Sequence, residues 1–313
     1  MSLDLFGAHR TVPEARVRLY ADEVQPYVNP MGERWLYLGT LAIPEEKHGH
    51  ALAALQAARQ AAGYDREVHF SGLTNHSYAK QYNKKTLLAR KWMELVLCDA
   101  EKVFHFYVLG VNLSNLTPQA FGRRGRHQPS IYNRFFRAAM LYVVKAYFGT
   151  PVLVTAVFHD KGAMQHDKLF DWHSIWRIED HEPGITFAQD RIDFIDSDHR
   201  REPLFPSESH FIQLIDVILG ATTQCLDCTS GKDGCSEVAE VLLPLIERLT
   251  DPKRASNPKS KYGYVGRCSV AFFPSHALKP AQLEDPFKRA QSHFYIHRRL
   301  LLGEKISGQL PLC

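Results

Sequence analysis

Between Glu101 and Asp160 the chain contains no acidic residue. The same stretch carries Lys102, Arg123, Arg124, Arg126, Arg134, Arg137 and Lys145. The net charge of all 313 residues is only +4, so this block is a true asymmetry in an otherwise balanced chain. It permits contact with a polyanion such as nucleic acid. Other absences narrow the field. No apolar run approaches the ~20 residues that a membrane-spanning helix needs; the longest resemble PVLVTAVF. The N-terminal MSLDLFGAHRTVPEAR has no apolar signal core. The six cysteines form no repeating framework, which points to free thiols in a reducing cytoplasm. No G-x-x-x-x-G-K loop occurs, so any nucleotide-driven step would belong to another protein. No internal repeat is visible.

What is present reads as a mixed α/β sheet covered by helices. Branched and aromatic runs predict strands at 16–21, 35–43 and in VFHFYVLGVNL, with the turn-prone NPMGER joining the first two. Helical spacing predicts helices from Pro44 to about Ala62, over 78–100, over 130–148 and over 164–178. PVLVTAVFHD is apolar on both faces and reads as a central strand. GITFAQDRIDFIDSDH alternates like a strand, PSESHFIQLIDVILGATTQ is an almost wholly apolar helix, and SEVAEVLLPLIERL is another helix. The expected division is a main domain over 15–250 and a C-terminal extension over 251–313.

Against that background a few acids stand where the local pattern would not choose them. Asp22 ends the first strand and Asp160 ends the central one. Asp216 interrupts the apolar helix, and residues 211–224 offer no Lys or Arg to pair with it. A buried carboxylate must be paired, protonated or bound to metal. Acids at strand ends can converge with a helix acid. Such a cluster calls for a cation, and oxygen ligands favour Mg²⁺ or Mn²⁺. Two such ions suit phosphodiester cleavage. Glu67, with His69 two residues on, is a further acid of interest. Strand alternation turns Glu23 to the face opposite Asp22, whereas Gln213 shares a helix face with Asp216. Each acid has an ordinary alternative: a loop cap for Asp22 or Asp160, a hydrogen-bonded core Asp for Asp216, a solvent-facing loop acid for Glu67.

Five short motifs, in order, are YADE at 20–23, EVHFS at 67–71, VFHD at 157–160, IDS at 195–197 and QLID at 213–216. Together they resemble the family called domain of unknown function 3800, which is described by its Asp-Glu and Gln-x-x-Asp motifs and an RNase H-like fold. The resemblance spans about residues 15–228. It implies an RNase H-like α/β sheet and a metal-dependent nuclease site with two Mg²⁺ or Mn²⁺ ions. Asp22, Glu67, Asp160 and Asp216 become catalytic metal ligands, with Glu23, His69, Asp196 and Gln213 around them. Two departures stand out. The family's first motif runs into a Ser-Gly-like turn where this chain has Val24-Gln25-Pro26. Its DS is followed by a basic residue where this chain has Asp198 and His199, with Arg200 and Arg201 next.

FGRRGRHQPS reads as a pliant basic loop, and Arg123, Arg124, Arg126 and Lys161 are the expected nucleic-acid contacts. The following Tyr132, Phe135 and Phe136 could stack on bases or belong to the core. Cys225, Cys228 and Cys235 leave both structural zinc and plain buried thiols open. The expected activity is a metal-dependent nuclease. The partners are nucleic acid and possible protein components of a bacterial defence or mobile-element system. The alternative is a relic-site subunit that binds nucleic acid or serves as an adaptor.

Overall fold

A computed structural model describes residues 14–75, 83–116, 121, 127–149, 151–161, 172–250 and 266–273, with side chains at 127–128 and 172–176 left out. Its centre is a seven-stranded sheet: β1 (Ala15–Val28), β2 (Arg34–Pro44), β3 (His105–Asn112), β4 (Val152–Asp160), β5 (Ile185–Phe187), β6 (Asp193–Ile195) and β7 (Cys268–Phe273). The order is β5-β4-β1-β2-β3-β7, and β6 also pairs with β4. β1, β2 and β3 form an antiparallel meander, while β4 lies parallel to β1 and β7 parallel to β3. An antiparallel meander followed by parallel strands on the β1 side is the RNase H-like arrangement. The strand β7 comes from within 251–313, so part of the stretch expected as an extension completes the sheet. The remainder of that stretch, 251–265 and 274–313, lies outside the described residues.

Among the described residues six α-helices cover the sheet: α1 (His48–Ala62), α2 (Lys84–Leu97), α3 (His127–Phe148), α4 (Trp172–His181), α5 (Pro206–Asp227) and α6 (Asp233–Leu249). Strand alternation divides the core. Tyr20, Tyr37, Leu41 and Ile43 face α1, α2, α5 and α6, whereas Leu19, Leu36, Leu38 and Ala42 face α3. The helix ends follow local chemistry. Asn83 caps α2 by accepting from Lys85 N, and α1 closes at Gly63, whose left-handed φ of 61° suits glycine. α5 starts on Pro206 at its first turn and carries Glu208 at the positive end of its dipole.

Two sequence expectations are refined. GITFAQDRIDFIDSDH forms two three-residue strands rather than one, because turns interrupt it between Phe187 and Asp193. Val24-Gln25-Pro26 does not turn: β1 runs through it to Val28, with a register irregularity between Val24 and Tyr27 where proline cannot donate to the ladder. The reversal comes later, at Asn29–Glu33. There Asn29 Oδ1 accepts from Met31 N and Glu33 N, and Gly32 takes a φ of 78°.

β4 holds the irregularity that matters most for the site. Val17 pairs with Val154, but Arg18 pairs with Ala156, so Thr155 is an extra residue in the ladder. Its Oγ1 lies 3.1 Å from the Val17 carbonyl and 2.7 Å from Glu45 Oε2. Before the bulge Val152 and Val154 face α3; after it Ala156 and Phe158 face α5. Without that single-residue slip, Asp160 would project to the wrong side of the sheet.

α5 packs on the sheet at close range. At Gly39, directly across from Asp22, a Cβ would stand 3.0 Å from Ile215 Cγ1. Gly220, on α5, is covered by the buried ring of Phe70. A methyl at Gly220 would collide with that ring, so Gly220→Ala should destabilise the fold by about 1–3 kcal/mol. Urea denaturation measures it; an unchanged midpoint would show that Phe70 is not held against the helix.

Candidate metal and phosphodiester site

The carboxyl ends of β1 and β4 bring two acids side by side. The register ends at Ala21 beside His159, so the next residues, Asp22 and Asp160, are neighbours on adjacent parallel strands. Both lie on the α5 face, with Tyr20 and Phe158 preceding them. The third acid comes from α5. From Glu208 to Asp227 every residue of that helix is buried except Asp216, whose side chain retains 15% exposure. Asp216 is thus the one place where the buried helix opens to the site.

The electrostatics tie the three together. Burial foremost, then the charges of Asp216, Asp160 and Glu23, push Asp22 well above the ordinary carboxylate range. Asp160 is also raised, by burial and by Asp216 and Glu23, against the opposing pull of His159 and the Ser197 hydroxyl. Asp216 is raised by burial and by Glu67, opposed by His69, the Phe70 N–H and Lys85. The causes are those expected of like charges sharing a poorly hydrated site.

Glu67 arrives on an extended segment in which Val68 and Phe70 point into the core and Glu67 and His69 point out. Two residues of α5 hold that segment. Gln213 Oε1 accepts from Val68 N at 2.9 Å, and Asp216 Oδ2 accepts from Phe70 N at 2.6 Å. The three-residue spacing on the helix matches the two-residue spacing of inward N–H groups on the extended chain. Gln213 also accepts from Arg59 at 2.8 Å and donates through Nε2 to the Ser197 carbonyl. Ser197 Oγ in turn donates to Glu67 Oε1 at 2.6 Å. The Gln-x-x-Asp motif is therefore a fastening: it fixes the Glu67 segment and the Ser197 turn to one helix.

The remaining expected residues fall into place around this. His69 Nε2 stands 3.6 Å from Asp216 Oδ1 and is half-exposed. Asp196 is not in the acid cluster; its Oδ1 accepts from Asp198 N at 2.8 Å and from Arg201 at 3.0 Å. Arg201 also lies 3.8 Å from Glu67, while Arg200 pairs with Asp198 at 2.9 Å. Of the two arginines after the DS pair, Arg201 is thus the one that reaches the site acids. Glu23 projects through the opposite face, as strand alternation requires. Tyr132 donates to it at 3.1 Å, and His159 Nε2 is 3.4 Å away. His159 is buried behind the acids and cannot orient a substrate group. Lys161 is exposed just beyond β4.

Tyr132, Phe135 and Phe136 are core residues, between 1% and 4% exposed, so they offer no stacking platform. Arg123, Arg124 and Arg126 lie outside the described residues. Cys225 and Cys235 are buried and lie against the backbone carbonyls of Ala239 and Phe70, at 3.4 and 3.5 Å. Burial pushes both thiols up. Two basic residues escaped the sequence reading altogether: Lys85 and Lys232, whose amines meet the turn after Phe70.

Among the described residues, no group of three or more His, Cys, Asp or Glu side chains forms a ready-made metal cage. The donor chemistry nonetheless suits a hard cation. The site is built of carboxylates, and among the described residues only the Glu23 N–H donates a hydrogen bond to Asp22. No protein-family model matches the chain, and no curated protein matches it. Among the described residues no helix is long and apolar enough to cross a membrane.

The raised carboxylates link stability to pH. A group whose folded pKa lies above its ordinary 3.8 contributes stability below that value and loses it as pH rises through the folded value. In EDTA, Asp22→Asn should therefore melt a few degrees above wild type at neutral pH, with the difference shrinking towards about pH 4. Thermal melts across that range test it; a pH-independent difference would show that the acids do not feel one another.

Proposed function

We propose that this chain is a metal-dependent nuclease that hydrolyses phosphodiester bonds of RNA or DNA. The observation that carries the reading is the convergence of Asp22, Asp160 and Asp216. They come from two strand ends and a buried helix, share one sheet face, and disfavour one another's charge. Such an arrangement costs stability in the bare protein, and a divalent cation relieves it. Asp22, Asp160 and Asp216, with Glu67 beside them, would hold two Mg²⁺ or Mn²⁺ ions. Bound there, the ions supply an activated water and charge stabilisation at the phosphate oxygens.

The chain's own residues do the positioning. Phe70 N–H fixes one oxygen of Asp216 and leaves the other towards the opening. Ser197 orients Glu67, and Gln213 keeps both supporting segments on α5. His69, half-exposed and 3.6 Å from Asp216, connects that carboxylate to solvent. Arg201 and Lys161 supply positive charge at the rim, where a phosphate oxygen gains stabilisation as charge develops. The five free cysteines among the described residues suit the cytoplasmic location that goes with this reading.

Asp216→Asn keeps the Phe70 hydrogen bond acceptor and removes the charge. It should lower Mn²⁺-dependent cleavage of labelled RNA or DNA at least a thousandfold while circular dichroism stays that of wild type. Wild-type cleavage by that variant would end the assignment.

The departures from the family pattern after Glu23 and after Ser197 favour a second reading, a relic-site subunit that binds nucleic acid or joins a protein complex. Calorimetric titration with Mn²⁺ separates the two. Heat that disappears in Asp160→Ala belongs to the enzyme; no heat in wild type belongs to the relic. A defence or mobile-element effector that needs its partner would bind the ion and cleave only once the partner is added.

A further inference from the structure

Lys85 and Lys232 come from different elements and end on the same turn. Lys85 lies in the first turn of α2, and Lys232 is the residue that precedes α6. Lys85 Nζ donates to the Gly72 carbonyl at 3.3 Å, and Lys232 Nζ to the Ser71 carbonyl at 2.6 Å. Each ammonium has three protons, so both keep donors free after these contacts. The turn itself is the Phe70–Gly72 segment that follows the Phe70 N–H bound to Asp216.

Gly72 is shaped for this convergence: a Cβ there would stand 2.6 Å from Lys85 Nζ. The surrounding contacts hold the turn firmly. Gly234 N donates to the Thr74 carbonyl at 3.2 Å, Asn83 Nδ2 donates to Thr74 Oγ1 at 2.6 Å, and Asp233 N donates to Asn75 Oδ1 at 3.1 Å. The start of α2, the start of α6 and the Phe70 turn are thus fastened together. Lys85 is half-buried, and its amine feels the charges of Glu67, Asp216 and Lys232. Burial depresses its pKa, and the geometry of the convergence rests on the two carbonyl contacts. Two ammonium groups brought within mutual influence repel. A polyanion settles them as a divalent cation settles the acids.

We infer that Lys85 and Lys232 form a phosphate subsite beside the acid cluster, which takes a backbone phosphate flanking the one held at Asp22, Asp160 and Asp216. The substrate class is then a nucleic-acid strand rather than an isolated phosphodiester. The meaning of the subsite rests on the nuclease reading, but its existence can be tested without cleavage.

The test is binding of a fluorescein-labelled single-stranded oligonucleotide, followed by anisotropy in EDTA over a range of salt. Lys85→Met and Lys232→Met should each weaken binding about tenfold at low salt. Each should also reduce the slope of log K against log salt by about 0.7, the release expected for one phosphate contact on a single strand. Lys84→Met is the control. It removes the same charge one residue away, where the Lys84 amine lies over Gly63 instead, and it should leave the slope unchanged. Lys85→Arg should restore the slope, which separates lost charge from lost packing. Equal Kd and slope in the Lys85 and Lys232 variants and wild type would overturn the subsite, as would an equal loss in Lys84→Met. A wild type that binds the strand with the predicted slopes yet never cleaves it would keep the subsite and remove the nuclease assignment.

Discussion

The architecture depends on one demand: a helix buried on all sides must have its polar side chains satisfied. α5 is such a helix, packed between the sheet and helices α1, α2 and α6. Gln213 and Asp216 meet the demand by accepting the N–H groups of Val68 and Phe70. That pair of bonds draws an otherwise irregular segment into the core, where Phe70 closes over Gly220. It also leaves Glu67 and His69 pointing outward beside Asp216. Removing either acceptor would leave a buried donor unpaired, at a cost of about 1–3 kcal/mol. Fold stability and site geometry therefore rest on the same two side chains. They differ in one respect: Gln213 is wholly enclosed, whereas Asp216 has one side left towards the opening.

The sheet contributes by phase. In parallel strands, laterally paired residues share a face, so Asp22 and Asp160 meet only if both strands count the same parity on arrival. They do not do so from the start of the pairing; the extra residue Thr155 corrects the count. Its hydroxyl is held by the Val17 carbonyl and Glu45, and Glu45 is bound by Arg18 at 2.6 Å, which also reaches Glu208 of α5 at 2.9 Å. The half-buried ion network at the start of α5 thus supports the bulge, and the bulge sets the side on which Asp160 emerges. Arg18 holds Glu45 down to about 2, so this support keeps its charge at any physiological pH.

Much of this was legible in the sequence because it follows from pattern. The strands, the burial of α5 and the order of elements come from period and composition. Asp216 was conspicuous because a charge in an apolar helix with no basic neighbour needs an explanation. Alternation alone separated Glu23 from Asp22. What could not be read is tertiary. Nothing in PVLVTAVF marks Thr155 as the extra residue, since any residue of a doubly apolar strand could slip. Lys85 and Lys232 look like ordinary first-turn and cap-position lysines until α2 and α6 are seen to meet. The aromatics after the basic loop carry the same letters whether they stack on bases or fill a core, and α3 packing decided for the core. The strand β7 was hidden because its partner, β3, lies far upstream, and only chain reversal brings CSVAFF to the sheet edge.

The Asp-Glu and His-Asp dipeptides can then be understood as a unit that acts through the sheet. Asp22 and Asp160 emerge on the α5 side, so their neighbours Glu23 and His159 must emerge on the α3 side. There the two meet, 3.4 Å apart, with the Tyr132 hydroxyl 2.6 Å from the imidazole. The His159 Nδ1–H donates to the Asp160 carbonyl at 2.8 Å, since a carbonyl can only accept. Glu23 N donates to the carboxylate of Asp22 at 2.8 Å. Glu23 and His159 thus each reach the Tyr132 hydroxyl and are each bonded to the acid beside them in the chain. Three acids that repel one another would spread the ends of β1 and β4 unless something behind the sheet held them. The Tyr132 hydroxyl, which comes from α3 and lies within hydrogen-bonding distance of both Glu23 and His159, is placed to do that. The same two dipeptides that set the repulsion on one face meet a shared tyrosine hydroxyl on the other.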